Sequence, residues 1–107
     1  MRLKVALAAV AVLGLTGCGK TMYDYGAEQL RKDPKLRQEA LDDCVRDQER
    51  MPLGMRELFA KEMKVSTKRM PQVFCSRLMA AIASSRLTYA DLNDDKSDKI
   101  LRVIKGR

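Results

Sequence analysis

Two stretches of this chain repeat apolar residues at helical spacing, and each holds a cysteine inside its apolar stripe. From Lys35 to Arg50 the stripe is Leu36, Ala40, Leu41, Cys44 and Val45, which fall within half the helix circumference at about 100° per residue. Arg37 intrudes on that arc. From Pro71 to Arg86 the stripe is Phe74, Cys75, Leu78, Met79, Ala81 and Ile82, with Ser76, Arg77 and Ser84 opposite. Both cysteines are therefore predicted to face a core, as a bridge between two packed helices requires. At 107 residues there is room for one small domain, so these two helices must make up much of it.

Local signals place the remaining elements. Ala27 to Asp33 is a short helical candidate. Asp33-Pro34 then reads as a helix start, with Asp as N-cap and Pro at the first position. Met51-Pro52 interrupts the pattern. Leu53 to Lys64 resumes it, with Met55, Leu58, Phe59 and Met63 on the predicted inner face. Val65 to Met70 is a connection. Thr88 and Asp91 form a capping-box pattern, and Leu87 and Leu92 take the two staple positions, so a short helix begins at Tyr89. A polar cluster follows, from Asn93 to Ser97. Ser97 caps a last helix whose Ile100, Leu101 and Ile104 point inward. Asp98 at its start and Lys105 and Arg107 at its end suit the helix dipole. No segment alternates as a half-buried strand would. The predicted fold is all-α: a small helical bundle with one interhelical disulfide.

The first residues stand apart. Arg2 and Lys4 precede the uncharged run Val5 to Leu15, which is shorter than the roughly 20 residues a spanning helix needs. That is the layout of a secretory signal peptide. Its end, Leu15-Thr16-Gly17-Cys18, resembles the lipobox of bacterial lipoproteins. The resemblance implies cleavage between Gly17 and Cys18, a diacylglycerol on the Cys18 thiol and acylation of the new amine. It implies three parts: a leader over residues 1–17, a lipidated tether over 18–26 and a helical domain over 27–107. The anchor follows from burial of about 0.8 kcal/mol per methylene, two or three chains holding stably where one is marginal. Tyr23 and Tyr25 in the tether either settle at the headgroup interface or pack on the domain. Gly19, where an aspartate tends to retain lipoproteins in the inner membrane of enteric-type bacteria, points to the outer membrane. The expected location is the bacterial cell envelope, facing the periplasm.

Export places Cys44 and Cys75 in an oxidising compartment. With Cys18 lipidated, only one pairing remains for the three cysteines. A bridge across 31 residues would stabilise by about 3–4 kcal/mol on a chain-entropy argument, a large share for so small a core. The alternative is a pair of buried free thiols.

Charge is unevenly placed. Without the leader, 19 bases face 14 acids. Residues 24–49 are net acidic, whereas residues 50–86 hold eight bases against Glu57 and Glu62. Within that basic stretch Arg56, Lys61, Lys64, Lys68 and Arg69 are the candidate contacts with an anionic surface, a solvated helix face being the simpler reading. Nucleic acid is not an expected partner, because an exported protein does not meet it and the chain, at 5% aromatic residues, lacks the rings that stack bases.

Catalysis finds little to build on. The chain has no histidine, which removes imidazole triads, imidazole metal ligands and a histidine pH switch. Asp42 and Asp43 are neighbours and point apart on a helix, Ser84 and Ser85 have no base placed beside them, and there is no Gly-rich phosphate loop. Asp91, Asn93 and Asp95 match the first half of a calcium loop, but Lys96 replaces its glycine and Arg102 its bidentate glutamate. Met51, Met55, Met63 and Met79 sit at core spacing rather than as a thioether copper site. No catalytic residue, metal or cofactor is expected.

Asp33-Pro34, Leu41-Asp42-Asp43-Cys44 and the later Cys75 followed by Ala80-Ala81 resemble the entry-exclusion lipoproteins of conjugative elements, short lipoproteins with an Asp/His-Pro…Leu-x-x-Cys helix and a second cysteine. The longer spacing between cysteines and the helices after Cys75 depart from that pattern. The resemblance implies a partner in a conjugation or secretion channel. The expected function is thus a non-enzymatic protein-interaction module on the envelope, the alternative being a binder of anionic lipid or cell-wall polymer through residues 50–86.

Overall fold

The computed structural model describes residues 19–94 and 96–107. Gly17, Cys18 and the leader lie outside them. Six helices and no strand are present among the described residues: α1 over residues 19–32, α2 Pro34–Glu49, α3 Leu53–Met63, α4 Met70–Ala83, α5 Tyr89–Leu92 and α6 Lys99–Ile104. The fold is all-α, with a disulfide between Cys44 of α2 and Cys75 of α4 at a Cα separation of 5.9 Å.

α4 is the central strut, with α2, α3 and α6 all packed on it. It begins at Met70 with Pro71 in its first turn, where a missing N–H costs nothing. It ends at Ala83, three residues short of the predicted Arg86, because Ser85 takes a left-handed conformation (φ 62°) and turns the chain. The Leu87 N–H then bonds back to the Ala81 carbonyl at 3.1 Å.

Two apolar clusters lie along this strut. Near its start, Met70 is buried with Ala60 and Met63 of α3, and Phe59, Val65, Val73 and Phe74 close around them. The Phe59 and Phe74 rings meet edge to face at 6.1 Å, a favoured aromatic arrangement. Near its end, Ala81 is buried with Leu87 and with Val103 of α6, flanked by Leu78, Ile82 and Ile100.

Several local expectations are met. The Asp33 carboxylate accepts from the Lys35 and Leu36 N–H groups at 3.1 and 3.2 Å, capping α2. At α5 the Thr88 N–H donates to the Asp91 carboxylate at 2.8 Å and the Asp91 N–H to the Thr88 hydroxyl at 3.2 Å, a complete capping box. Leu87 is fully buried, while its expected staple partner Leu92 is exposed.

Other expectations are corrected. Residues 19–26, read as a tether, are the first turns of α1. They are held in place by tertiary contacts: the Tyr23 hydroxyl donates to the Leu87 carbonyl, its ring stands 6.0 Å from that of Tyr89, and Ala27 and Leu30 are buried further along the same side. Gly19 allows this approach, since a Cβ there would come within 2.5 Å of the Tyr89 hydroxyl. In α2 no residue is fully buried; Cys44 is half-buried and Leu36 is exposed, because among α3 to α6 only α4 packs on α2 extensively. In α6 the buried pair is Val103 and Ile104, with Leu101 exposed. Ser97 does bond to the Lys99 N–H at 3.2 Å, but the N-cap position is Asp98.

The largest difference is the roll of α3. Its inner face is Phe59, Ala60 and Met63, with Arg56 half-buried. Ala60 is small enough to let α3 approach Met70 closely. The consequence is that Met55 and Leu58, both expected inside, point outward.

Candidate functional site

The outward side of α3 carries Met55 and Leu58 at 46% and 57% exposure, and Leu53 is 55% exposed in its first turn. Among the described residues nothing covers them fully. The helix ends at Lys64 in a left-handed conformation (φ 59°), and the Val65 N–H closes the turn on the Ala60 carbonyl at 3.0 Å. That turn projects the basic residues which follow.

The five candidate surface cations divide into two kinds. Arg56 is half-buried and donates from Nε to the Met51 carbonyl at 3.0 Å, so it closes the α2–α3 connection. Lys61, Lys64, Lys68 and Arg69 are exposed, and none takes part in an ion pair among the described residues. Lys68 and Arg69 stand at the start of α4, where no acidic residue occupies the first turn. Positive side chains at the positive end of a helix dipole do not help the helix, so their placement is not explained by α4 itself.

Lys61 and Lys64 share a cleft of about 360 Å³ with Lys105 and Arg107, with Glu62 at its edge. Glu62 pairs with Lys105 at 3.2 Å, leaving three of the four cations without a carboxylate. Lys105 and Arg107 carry no signal in the sequence beyond their fit to the α6 dipole, since more than 40 residues separate them from Lys64. Only the docking of α6 on α4 brings them here.

The arginines elsewhere are engaged in a way that periodicity does not reveal. Arg37 lies within the apolar arc of α2 because its Nε and Nη2 donate to the Leu30 and Arg31 carbonyls at the end of α1, at 2.7 and 2.9 Å. Arg31 donates to the Ala83 carbonyl at the end of α4 at 2.6 Å. Arg77 donates to the Ile104 carbonyl at the end of α6, also at 2.6 Å. Each guanidinium satisfies carbonyls that a helix end leaves unpaired and meets the negative pole of that helix. Arg31 and Arg37 also close one end of a 470 Å³ groove between α2 and α4, floored by Leu41, Met79, Ala80 and Ala83.

The perturbed groups are tied up in local structure: a cap, a helix ion pair and a buried phenol. The Asp91 carboxyl is held below its ordinary range by the Thr88 backbone N–H, then by the Lys99 ammonium at 3.0 Å and the Thr88 hydroxyl. Thus Asp91, which begins the half-match to a calcium loop, is committed to α5. Glu28 is lowered by its hydrogen bond and ion pair with Lys32. The Tyr23 hydroxyl is raised by burial, then by the nearby Asp91 and Asp24 charges. Among the described residues no group of three or more carboxylates and thiols is placed to hold a metal ion, and no helix is long and apolar enough to cross a membrane.

No protein-family model, curated protein or solved structure matches this chain.

Proposed function

We propose that this chain is an envelope lipoprotein, anchored through lipid on Cys18 and facing the periplasm, whose helical domain docks another envelope protein and performs no catalysis. One observation carries the docking reading: α3 turns Met55 and Leu58 to solvent beside Lys61 and Lys64, which form no ion pair among the described residues. A helix with an apolar face outward and cations at its end suits a partner surface that is apolar with an acidic margin. The Cys44–Cys75 bridge supports the envelope part, because such bonds persist outside the reducing cytosol. The finer reading, a partner in a conjugation or secretion channel as for entry-exclusion lipoproteins, rests on the Asp33–Cys44 motif. The cleft of Lys61, Lys64, Lys105 and Arg107 favours the second reading, an anionic lipid or cell-wall polymer.

A photo-crosslinking side chain at position 58 in the anchored protein separates the two. A single protein adduct in stoichiometric yield, lost on Met55→Glu, supports the docking module. Adducts to polymer or lipid alone, with salt-sensitive retention on sacculi or anionic vesicles, replace it by the second reading. An unmodified Cys18 in a soluble cell fraction refutes the envelope assignment itself.

A further inference from the structure

α1 has three sides, and two of them are explained. Tyr23, Ala27 and Leu30 face the domain. Lys20 and Asp24 pair at 3.4 Å on an exposed side, as Glu28 and Lys32 pair one turn on at 2.6 Å. The third side carries Met22 and Tyr25, the two most exposed large apolar residues described, at 65% and 60%. At 3.6 residues per turn they lie about 60° apart, so they form one patch, exposed among the described residues. In sequence they follow Cys18 by four and seven residues.

We infer that α1 is a rigid arm laid on the bilayer, with Met22 and Tyr25 seated at the headgroup interface. The inference rests on the Cys18 anchor of the preceding section and goes beyond it, because it fixes how the domain stands on the membrane. A tyrosine and a methionine suit that depth: the ring and thioether enter the apolar edge while the phenol stays hydrated. Lys20 sits within reach of lipid phosphate. The occupant is a lipid surface rather than a protein, since the patch directly follows the lipid-bearing position.

Rigidity has a consequence at the other end of the molecule. α1 is fastened to the far end of α4, through the Tyr23–Leu87 and Arg31–Ala83 bonds. α3 is packed on the near end, at Met70, Val73 and Phe74. α4 has 14 residues, so the two are separated by about 20 Å of helix. Seating α1 on the bilayer would thus fix the height and tilt of α3 relative to the membrane.

The chain has no tryptophan, so one introduced indole reports alone. Met22→Trp, Asp24→Trp and Tyr25→Trp are made in the full-length lipidated protein and reconstituted into phosphatidylethanolamine–phosphatidylglycerol vesicles brominated high on the acyl chain. The arm predicts quenching at positions 22 and 25 that is about twofold or more stronger than at 24, with a blue-shifted emission. Equal quenching at all three positions, as a mobile tether gives, or none at 22 and 25, overturns the inference while leaving the anchor intact. Mass spectrometry of the same samples finds the acyl chains on Cys18; an unmodified thiol removes the anchor and this inference with it.

Discussion

The two ends of α4 are built from different chemistry. At its C-terminal end, polar groups do specific work around the Leu87 cluster: Tyr23 binds the Leu87 carbonyl, Arg31 and Arg77 close helix ends, and Thr88, Asp91 and Lys99 form one capped unit. At its N-terminal end the cluster of Ala60, Met63 and Met70 with Phe59, Val65, Val73 and Phe74 is mainly apolar packing, rich in sulfur and aromatic contacts. Lys61, Lys64, Lys68 and Arg69 beside it form no ion pair among the described residues, and Met55 and Leu58 of α3 are exposed. Capping hydrogen bonds fix a helix in one pose, whereas methionine-rich contacts tolerate adjustment. The first end is fixed by hydrogen bonds, and the second is packed in a way that would suit the proposed docking face.

Breaking the bridge between α2 and α4 should have an effect as large as any. The double variant Cys44→Ser, Cys75→Ser is expected to lose about 3–4 kcal/mol in urea unfolding, because the 31-residue loop is freed in the unfolded chain and α2 has little buried surface of its own. A loss under about 1 kcal/mol would show that α2 is held by its packing on α4 instead.

Single truncations test whether the ends are separate. Leu87→Ala and Met70→Ala each remove a fully buried side chain and should each cost about 2–5 kcal/mol. Amide exchange tells them apart. Met70→Ala should speed exchange in α3 while sparing α5, and Leu87→Ala the reverse; uniform loss in both variants would merge the two ends into one cooperative unit.

The cap is smaller. Thr88→Ala should cost about 1 kcal/mol. Its partner also gives the closed end a pH dependence. Asp91 ionises below its ordinary value of 3.8 in the fold, so its contribution is fully present above that value. It is lost as pH falls through the lowered one. The melting temperature should therefore drop as pH is taken below about 3.8 and through the lowered value, and drop less in Asp91→Asn. An identical profile for the two proteins would remove Asp91 from the account.

Leu58→Glu should change stability least, within about 0.5 kcal/mol, since the side chain is exposed. Partner capture should nevertheless fall about tenfold or more if the face is a docking surface. Destabilisation without loss of capture would make α3 a structural helix only.

What the sequence itself determined is short-ranged. The Asp33–Pro34 start, the Thr88–Asp91 box and the helical character of 34–49, 53–63 and 70–83 rest on bonds between residues two to four apart, so the local string contains all the partners. The pairing of Cys44 with Cys75 was legible because few thiols remain once Cys18 is set aside. The roll of α3 was not. Residues 53–63 offer two overlapping apolar arcs, and only the fit of Ala60 against Met70 chooses between them. The docking of α1 was hidden for the same reason, since Tyr23 meets Leu87 across 64 residues. Equally hidden were the arginines that cap distant helices and the arrival of Lys105 and Arg107 beside Lys64. Periodicity names a helix and the arcs it can bury; the neighbour that covers one arc and leaves the other bare exists only once the helices have packed, and the candidate docking face is what that choice left open.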